Sequence, residues 1–310
     1  MASLKLGTRG SALALWQANW TKAQLEERWP GLVVELVPIK TTGDKVLDVP
    51  LAKIGGKGLF TKEIDEALLS GRIDLAVHSM KDVPFQLPNG IDFAAVPIRE
   101  DPRDAFLSKG MQIEDLPAGS KIGTSSLRRQ VQLRHRFPSL RIINLRGNVD
   151  TRLRKLASGD FDAVILAAAG LNRLGYSQKI TQILDEETML SAVGQGALGI
   201  VCRSSDTATS DTLRVLNDPV THAAVIAERG LLRALGGSCQ IPVAGHAKVA
   251  GTRITLKGLV ASLDGSQVIR ETADGSADRP ADLGLALGHK LLSMGAGEIL
   301  AEIAAHSTDW

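Results

Sequence analysis

Over residues 4–216 short apolar runs alternate with longer amphipathic ones, and few architectures satisfy that alternation. Strands separated by helices build a mostly parallel sheet covered on both faces, which is the α/β class. Runs at 32–37, 73–77, 93–96, 121–123, 141–144, 161–166 and 197–202 read as its strands. The first clear helix follows Ser11, a good N-cap residue type, and Pro30 ends it. It sets Leu13, Trp16, Trp20 and Ala23 on one face, which predicts that both tryptophans point into a core.

After Asp218-Pro219 the pattern changes. One helix at 220–235 is followed by short alternating strands at 247–250, 253–260 and 266–272, then by two helical stretches from 282 to the end. This reads as a smaller α+β unit. Two segments suit crossings between domains: the polar, proline-bearing Arg99-Glu100-Asp101-Pro102-Arg103, and residues 191–196. At 310 residues the chain is long enough for two or three domains.

Charge narrows the partners. Lys and Arg number 36 against 34 acidic residues, a net charge of +2, so bulk charge does not make this a nucleic-acid-coating protein and any anion site must come from local clustering. The first ten residues lack the apolar stretch of a secretory signal, and no apolar run approaches the ~18 residues of a membrane span, so a cytoplasmic location is expected. Two cysteines, Cys202 and Cys239, make no disulfide framework, and the six histidines show no metal-ligand spacing, so no metal is expected.

Two pattern matches carry no chemistry. Residues 194–199 fit G-x-G-x-x-G but enter a strand, whereas a dinucleotide site needs a strand before and a helix after. Asn19-Trp20-Thr21 fits a glycosylation sequon inside a predicted helix.

The arginines are more informative. In Gly123-Thr124-Ser125-Ser126-Leu127-Arg128-Arg129 a strand ends in hydroxyl residues that begin a helix, with two arginines in its first turn. A helix N-terminus is already positive, so cations there break a local rule and point to a function. Amides, hydroxyls and guanidiniums aimed together bind carboxylates or phosphates. Leu145-Arg146-Gly147-Asn148-Val149-Asp150-Thr151-Arg152 repeats the arrangement, and Arg9-Gly10-Ser11 is a third instance. The bland alternative for each is a solvated surface arginine. If they are ligand-binding, Arg128→Leu and Arg129→Leu are expected to leave the fold largely intact.

In Val77-His78-Ser79-Met80-Lys81-Asp82-Val83-Pro84, the proline makes Val83 extended and leaves Lys81 and Asp82 just past a strand end, the position of the ligand crevice in open α/β sheets. A surface ion pair fits the same residues. The 220–235 helix stops at Gly236-Gly237 and leaves Cys239 in a loop, where a thiol can be an attachment point or a small packed hydrophobe. Cys202, inside an apolar strand, reads as buried and inert. The glycine-dense run at 55–58 reads as a mobile loop.

Together these segments resemble the porphobilinogen deaminase, or hydroxymethylbilane synthase, family. The match runs through Thr8 to Gln17, residues 55–60, 77–84, 123–130, 145–148, 193–196 and 236–242. The resemblance implies two type II periplasmic-binding-protein-like domains around a cleft plus a small C-terminal α+β domain, divided as 1–98 with 197–216, 103–192, and 219–310. It implies condensation of four porphobilinogen molecules, with loss of ammonia, to hydroxymethylbilane. It further implies a dipyrromethane cofactor on Cys239 as a thioether, held by Ser79, Lys81, Asp82, Thr124, Ser125, Ser126, Arg128, Arg129 and Arg146. Substrate falls to Arg9, Ser11, Lys57, Phe60, Arg152, Arg173 and Gln195, and the catalytic role to Asp82. Loss of ammonia leaves a cationic azafulvene, which one carboxylate can stabilise while accepting the pyrrole N–H. A monomer without nucleic-acid or membrane partners is expected. The implied cleft fold also serves solute capture and regulator effector domains, although neither uses a loop cysteine in a third domain.

Overall fold

A computed structural model describes residues 3–45, 61–237 and 241–306. The glycine-dense run at 55–58, with Lys57, and also Phe60 and Cys239 lie outside the described residues. In chain order the first strands are β1 (Ser3–Thr8), β2 (Val33–Pro38), β3 (Leu75–Ser79) and β4 (Ile91–Ala95). Next come β5 (Asp104–Ser108), β6 (Lys121–Gly123), β7 (Arg141–Ile143), β8 (Ala163–Ala167) and β9 (Gln182–Ile183). The rest are β10 (Leu198–Arg203), β11 (Val243–Ala250), β12 (Arg253–Ala261) and β13 (Val268–Ser276).

Two five-stranded sheets share one plan, β2-β1-β3-β10-β4 and β7-β6-β8-β5-β9. In the first, β1 runs parallel to β2 and β3, while β10 is antiparallel to both its neighbours. In the second, β6 runs parallel to β7 and β8, while β5 is antiparallel to β8 and β9. The antiparallel strand is in each case the one that follows a crossing. A chain arriving from the other sheet enters at the hinge side and runs against the strands that end there. This is the type II periplasmic-binding-protein plan. Strands β5 and β9 escape a sequence reading because one opens on a charged residue and the other has two residues.

Aliphatic side chains fill both faces of each sheet. Leu6, Val34, Leu75 and Ile200 pack toward the Ala12–Arg28 helix, and Ile64 and Leu68 of the Lys62–Leu69 helix pack with Ile73 and Val201 on the other face. Phe106, Ile122, Leu133 and Ile165 do the same in the second sheet. Each such side chain contributes roughly 1.5–3 kcal/mol on burial. Cys202, on β10, is 1% exposed, and burial pushes its thiol pKa up.

The first helix departs from expectation. Its buried residues are Gln17, Ala18, Thr21 and Leu25; Trp20 is half-buried and packs against the first sheet's core as expected, whereas Trp16 is half-buried elsewhere and Ala23 is exposed. The Leu13–Trp16 end of the apolar stripe faces the other lobe instead of its own sheet. Arg173 lies over the Trp16 ring at 5.8 Å, and Leu13 comes against Gly170.

The third unit is an antiparallel meander, β11-β12-β13, covered by the Pro219–Ala234 and Pro280–Leu291 helices. Those helices approach closely because glycines line the crossing: a Cβ at Gly284 would run into the Ala227 carbonyl, and one at Gly230 would lie 2.7 Å from the Ala281 carbonyl.

This unit also holds the hinge. The crossings lie side by side, with Glu100 N donating to Gly196 O at 3.2 Å and Ser191 Oγ to Pro102 O at 2.7 Å. Gly196 has φ 87°, and a side chain there would strike the Glu100 carbonyl. Glu228, fully buried on the Pro219–Ala234 helix, accepts from Arg99 Nη1 at 2.6 Å, Gly194 N at 2.6 Å and Ala247 N at 2.8 Å. One carboxylate thus ties both crossings to β11. No described helix is long and apolar enough to cross a membrane.

Candidate active site

β3 leaves the first sheet at Ser79 and turns at once into a single 3₁₀ turn, Met80–Asp82. Pro84 keeps Val83 extended (φ −86°, ψ 127°), so the turn cannot continue. Met80 is buried and its amide donates to Ala197 O at 3.0 Å. Lys81 is therefore half-buried, and Asp82 is exposed toward a pocket whose walls include Arg9, Ser11, Gln17, Thr61, His78 and Ser79. Asp82 is the one carboxylate among the described residues lining that pocket.

Ser79 Oγ accepts from Gln17 Nε2 at 2.8 Å, and Ser11 caps its helix by accepting from Ala14 N at 3.3 Å. Burial, with the Arg9 charge adding to it, pushes the His78 imidazole down to about 4, so it is neutral at physiological pH. Burial also pushes Lys81 down to about 8; Asp82 opposes the shift, and Arg129 adds to it.

On the second sheet, β6 ends at Gly123 and is followed by fully buried Thr124, whose amide donates to Ile143 O at 3.0 Å. Ser126 stands at the N-cap of the Leu127–Arg136 helix without capping it through its side chain, and Ser125 and Ser126 are half-buried. Arg128 and Arg129 are 4% and 5% exposed, and both meet fully buried Asp104 at the start of β5. Arg128 Nη1 lies 2.7 Å from Asp104 Oδ2, and Arg129 Nη2 2.6 Å from Oδ1. Burial works against the Asp104 charge, but the two guanidiniums hold its carboxyl far below the ordinary range. Leucine at 128 or 129 would leave Asp104 paired with the remaining guanidinium while taking a donor from Leu190 O or Ile165 O, respectively.

Asp104 is the residue that sequence reasoning missed. An acid opening a strand just after a polar crossing was the available signal, but only the sheet order brings it beneath the 128–129 pair. Gln195, also fully buried, donates to Pro102 O at 2.7 Å and Asp104 Oδ1 at 3.1 Å, and its Oε1 accepts from Lys81 Nζ at 3.4 Å. A hydrogen-bonded path therefore runs from the Asp82 turn through the hinge to the arginines of the other lobe.

At the 145–152 turn, Asn148 Oδ1 caps the Val149–Ala157 helix by accepting from Thr151 N at 2.9 Å. Arg152 Nε donates to Gly147 O at 2.8 Å, and burial, then the nearby Arg129 and Arg146 charges, push its guanidinium down to about 10. Arg173 Nη2 donates to Gly196 O at 2.7 Å, and burial pushes it down to about 10 while Glu100 opposes. On this wall Arg128 Nε and Arg146 Nη1 are buried with no hydrogen-bond partner among the described residues. Buried donors of this kind are costly unless an acceptor meets them.

Among the described residues no three metal-ligating side chains cluster. A hinged two-lobed α/β fold, with desolvated cations in one lobe and, among the described residues lining the pocket of the other, a single carboxylate, defines a cleft enzyme for a substrate rich in carboxylates.

Residues 4–211 match the family model described as porphobilinogen deaminase, dipyromethane cofactor binding domain, and residues 222–293 match that of its C-terminal domain. The chain is 55% identical to porphobilinogen deaminase of Geobacter metallireducens over 300 residues, 97% of this chain and 94% of that one. It is 54% identical to that of Syntrophobacter fumaroxidans over 301 residues, 97% of each. Among solved structures, the methionine-binding protein MetQ aligns with TM-score 0.45 and 15% identity over 69% of this chain and 89% of that one. The chain belongs to the porphobilinogen deaminase family.

Proposed function

We propose that the chain condenses four porphobilinogen molecules head to tail, releasing ammonia and yielding hydroxymethylbilane for tetrapyrrole biosynthesis, at the cleft beside Asp82. The observation that carries the site assignment is that, among the described residues, Asp82 alone brings negative charge to a pocket otherwise bounded by Arg9, neutral polar side chains and apolar groups.

The donors present fit a dipyrromethane. Each pyrrole ring carries an acetate and a propionate, and Thr124, Ser125, Ser126, Arg128, Arg129 and Arg146 gather hydroxyls and guanidiniums, two of them with a buried N–H lacking an acceptor. When bound, the group supplies the terminal pyrrole carbon to which incoming units are joined. Cys239 would hold it as a thioether, its thiolate being the nucleophile that forms the C–S bond; the described chain enters that segment at Gly237 and leaves it at Ile241.

Arg9, Ser11, Lys57, Phe60, Arg152, Arg173 and Gln195 bind the substrate, and Gln195 also accepts from the Lys81 ammonium. As ammonia departs, Asp82 stabilises the positive charge left on the substrate and accepts its pyrrole N–H. The protein acts as a monomer in the cytoplasm, without nucleic-acid or membrane partners.

Two variants test this. Cys239→Ser should be folded and inactive and should lack the pyrrole adduct in its intact mass, whereas Cys202→Ser should retain it. Asp82→Asn, carrying its cofactor, should bind substrate with turnover reduced roughly a hundred- to thousandfold; turnover within a few-fold of wild type would make Asp82 structural.

A further inference from the structure

The Asp82 turn is poorly equipped to hold a charged side chain in one place. It is three residues long and closes on one backbone bond, Val83 N to Met80 O at 3.1 Å. Past it, Pro84 supplies no N–H, so the carbonyls of residues 83–85 need donors from elsewhere.

Those donors come from Arg229, on the Pro219–Ala234 helix of the third unit. Its side chain is 8% exposed. Nη2 donates to Pro84 O and Phe85 O, both at 2.7 Å; Nη1 lies 3.5 Å from Val83 O and 3.9 Å from Met80 Sδ. The guanidinium stacks over the Phe93 ring at 4.9 Å, and Val225, one turn earlier on the helix, packs with Met80. These contacts bracket Lys81 and Asp82, with Met80 immediately before and residues 83–85 immediately after.

We propose that Arg229 is the positioning residue for Asp82, clamping both ends of the turn from the third unit and fixing where the carboxylate stands. The inference rests on the reading of Asp82 as the charge-stabilising group. It has a structural consequence: the same helix continues to Ala234 and leads through Gly236 and Gly237 toward Cys239, so one rigid element sets both the carboxylate and the approach to the attachment segment. Lysine cannot replace the clamp, because a point charge on a flexible stem lacks the planar fork that spans neighbouring carbonyls.

Arg229→Lys should lower kcat about 10–100-fold with KM within about 3-fold, since a misplacement near 1 Å carries a penalty of that order. Hydrogen exchange across residues 80–85 should speed up while the rest of the protein keeps wild-type protection, an effect measurable without turnover. In an Asp82→Asn background the Lys substitution should change kcat no further than about 2-fold, because the two act through one carboxylate. If Asp82→Asn alone keeps near wild-type turnover, the reading of Asp82 fails and the clamp loses its object. If Asp82→Asn is inactive but the two effects multiply, or if Arg229→Lys raises KM alone, only the positioning role is overturned. Phe93→Leu removes the ring and leaves the carbonyl bonds, so it carries the test should Arg229→Lys fail to fold. It should give faster exchange at 80–85 and about a 3-fold loss of kcat; unchanged exchange there would also overturn the proposal.

Discussion

Two strand-to-helix turns of the second lobe read alike in sequence and differ in space. At 123–129 the arginines are buried and locked onto Asp104, and the N-cap serine leaves the helix uncapped by its side chain. At 145–152 the helix is capped by Asn148, the arginines are half-buried, and Arg146 keeps a buried nitrogen without a partner among the described residues. One turn is nearly closed by protein groups, with Arg128 Nε its residual donor; the other is open. An arginine-rich turn therefore serves two purposes at once: building the wall of the cleft and meeting the ligand. The identity of the nearest carboxylate, in the protein or in the ligand, decides which.

The largest effect should come from breaking the closed turn. Asp104→Asn leaves two guanidiniums buried against a neutral amide, and stability should fall by roughly 3–5 kcal/mol, read as a lower urea midpoint. A loss under about 1 kcal/mol would mean that the two arginines are held as openly as those of the other turn, and the contrast would collapse.

A smaller effect, of a different kind, should follow at the open turn. Arg146→Gln removes a charged donor whose protein partners are incomplete, so the unfolding midpoint should stay near wild type. Uptake of the dipyrromethane by apoprotein, followed by intact mass, should weaken about 10–100-fold, the value of one or two hydrogen bonds to a charged group. A stability loss matching that of Asp104→Asn would place Arg146 in the wall instead.

The smallest test compares the two caps. Asn148→Ala should destabilise by about 1 kcal/mol, whereas Ser126→Ala should be nearly neutral to the fold, because only Asn148 accepts from its helix. Equal losses would show that Ser126 caps in solution, leaving its hydroxyl committed to the helix.

The sequence by itself determined the layers and the chemistry on offer. Alternating runs announced the α/β class, Pro219 and the short strands after it announced the third unit, and Pro84 announced that Lys81 and Asp82 stand past a strand end; the division into two lobes came from the family resemblance. These are local properties: periodicity, backbone restriction and residue type act within a few positions. Tertiary structure decided the rest. The Trp16 face turned toward Arg173 instead of its own sheet, β5 and β10 ran antiparallel because each arrives from the opposite lobe, and Asp104 came to lie under Arg128 and Arg129 from about two dozen residues away. Arg229 reached the Asp82 turn across more than a hundred residues of chain. Pairings at that separation depend on sheet order and hinge geometry, and one-dimensional spacing carries no record of which buried charge will meet which.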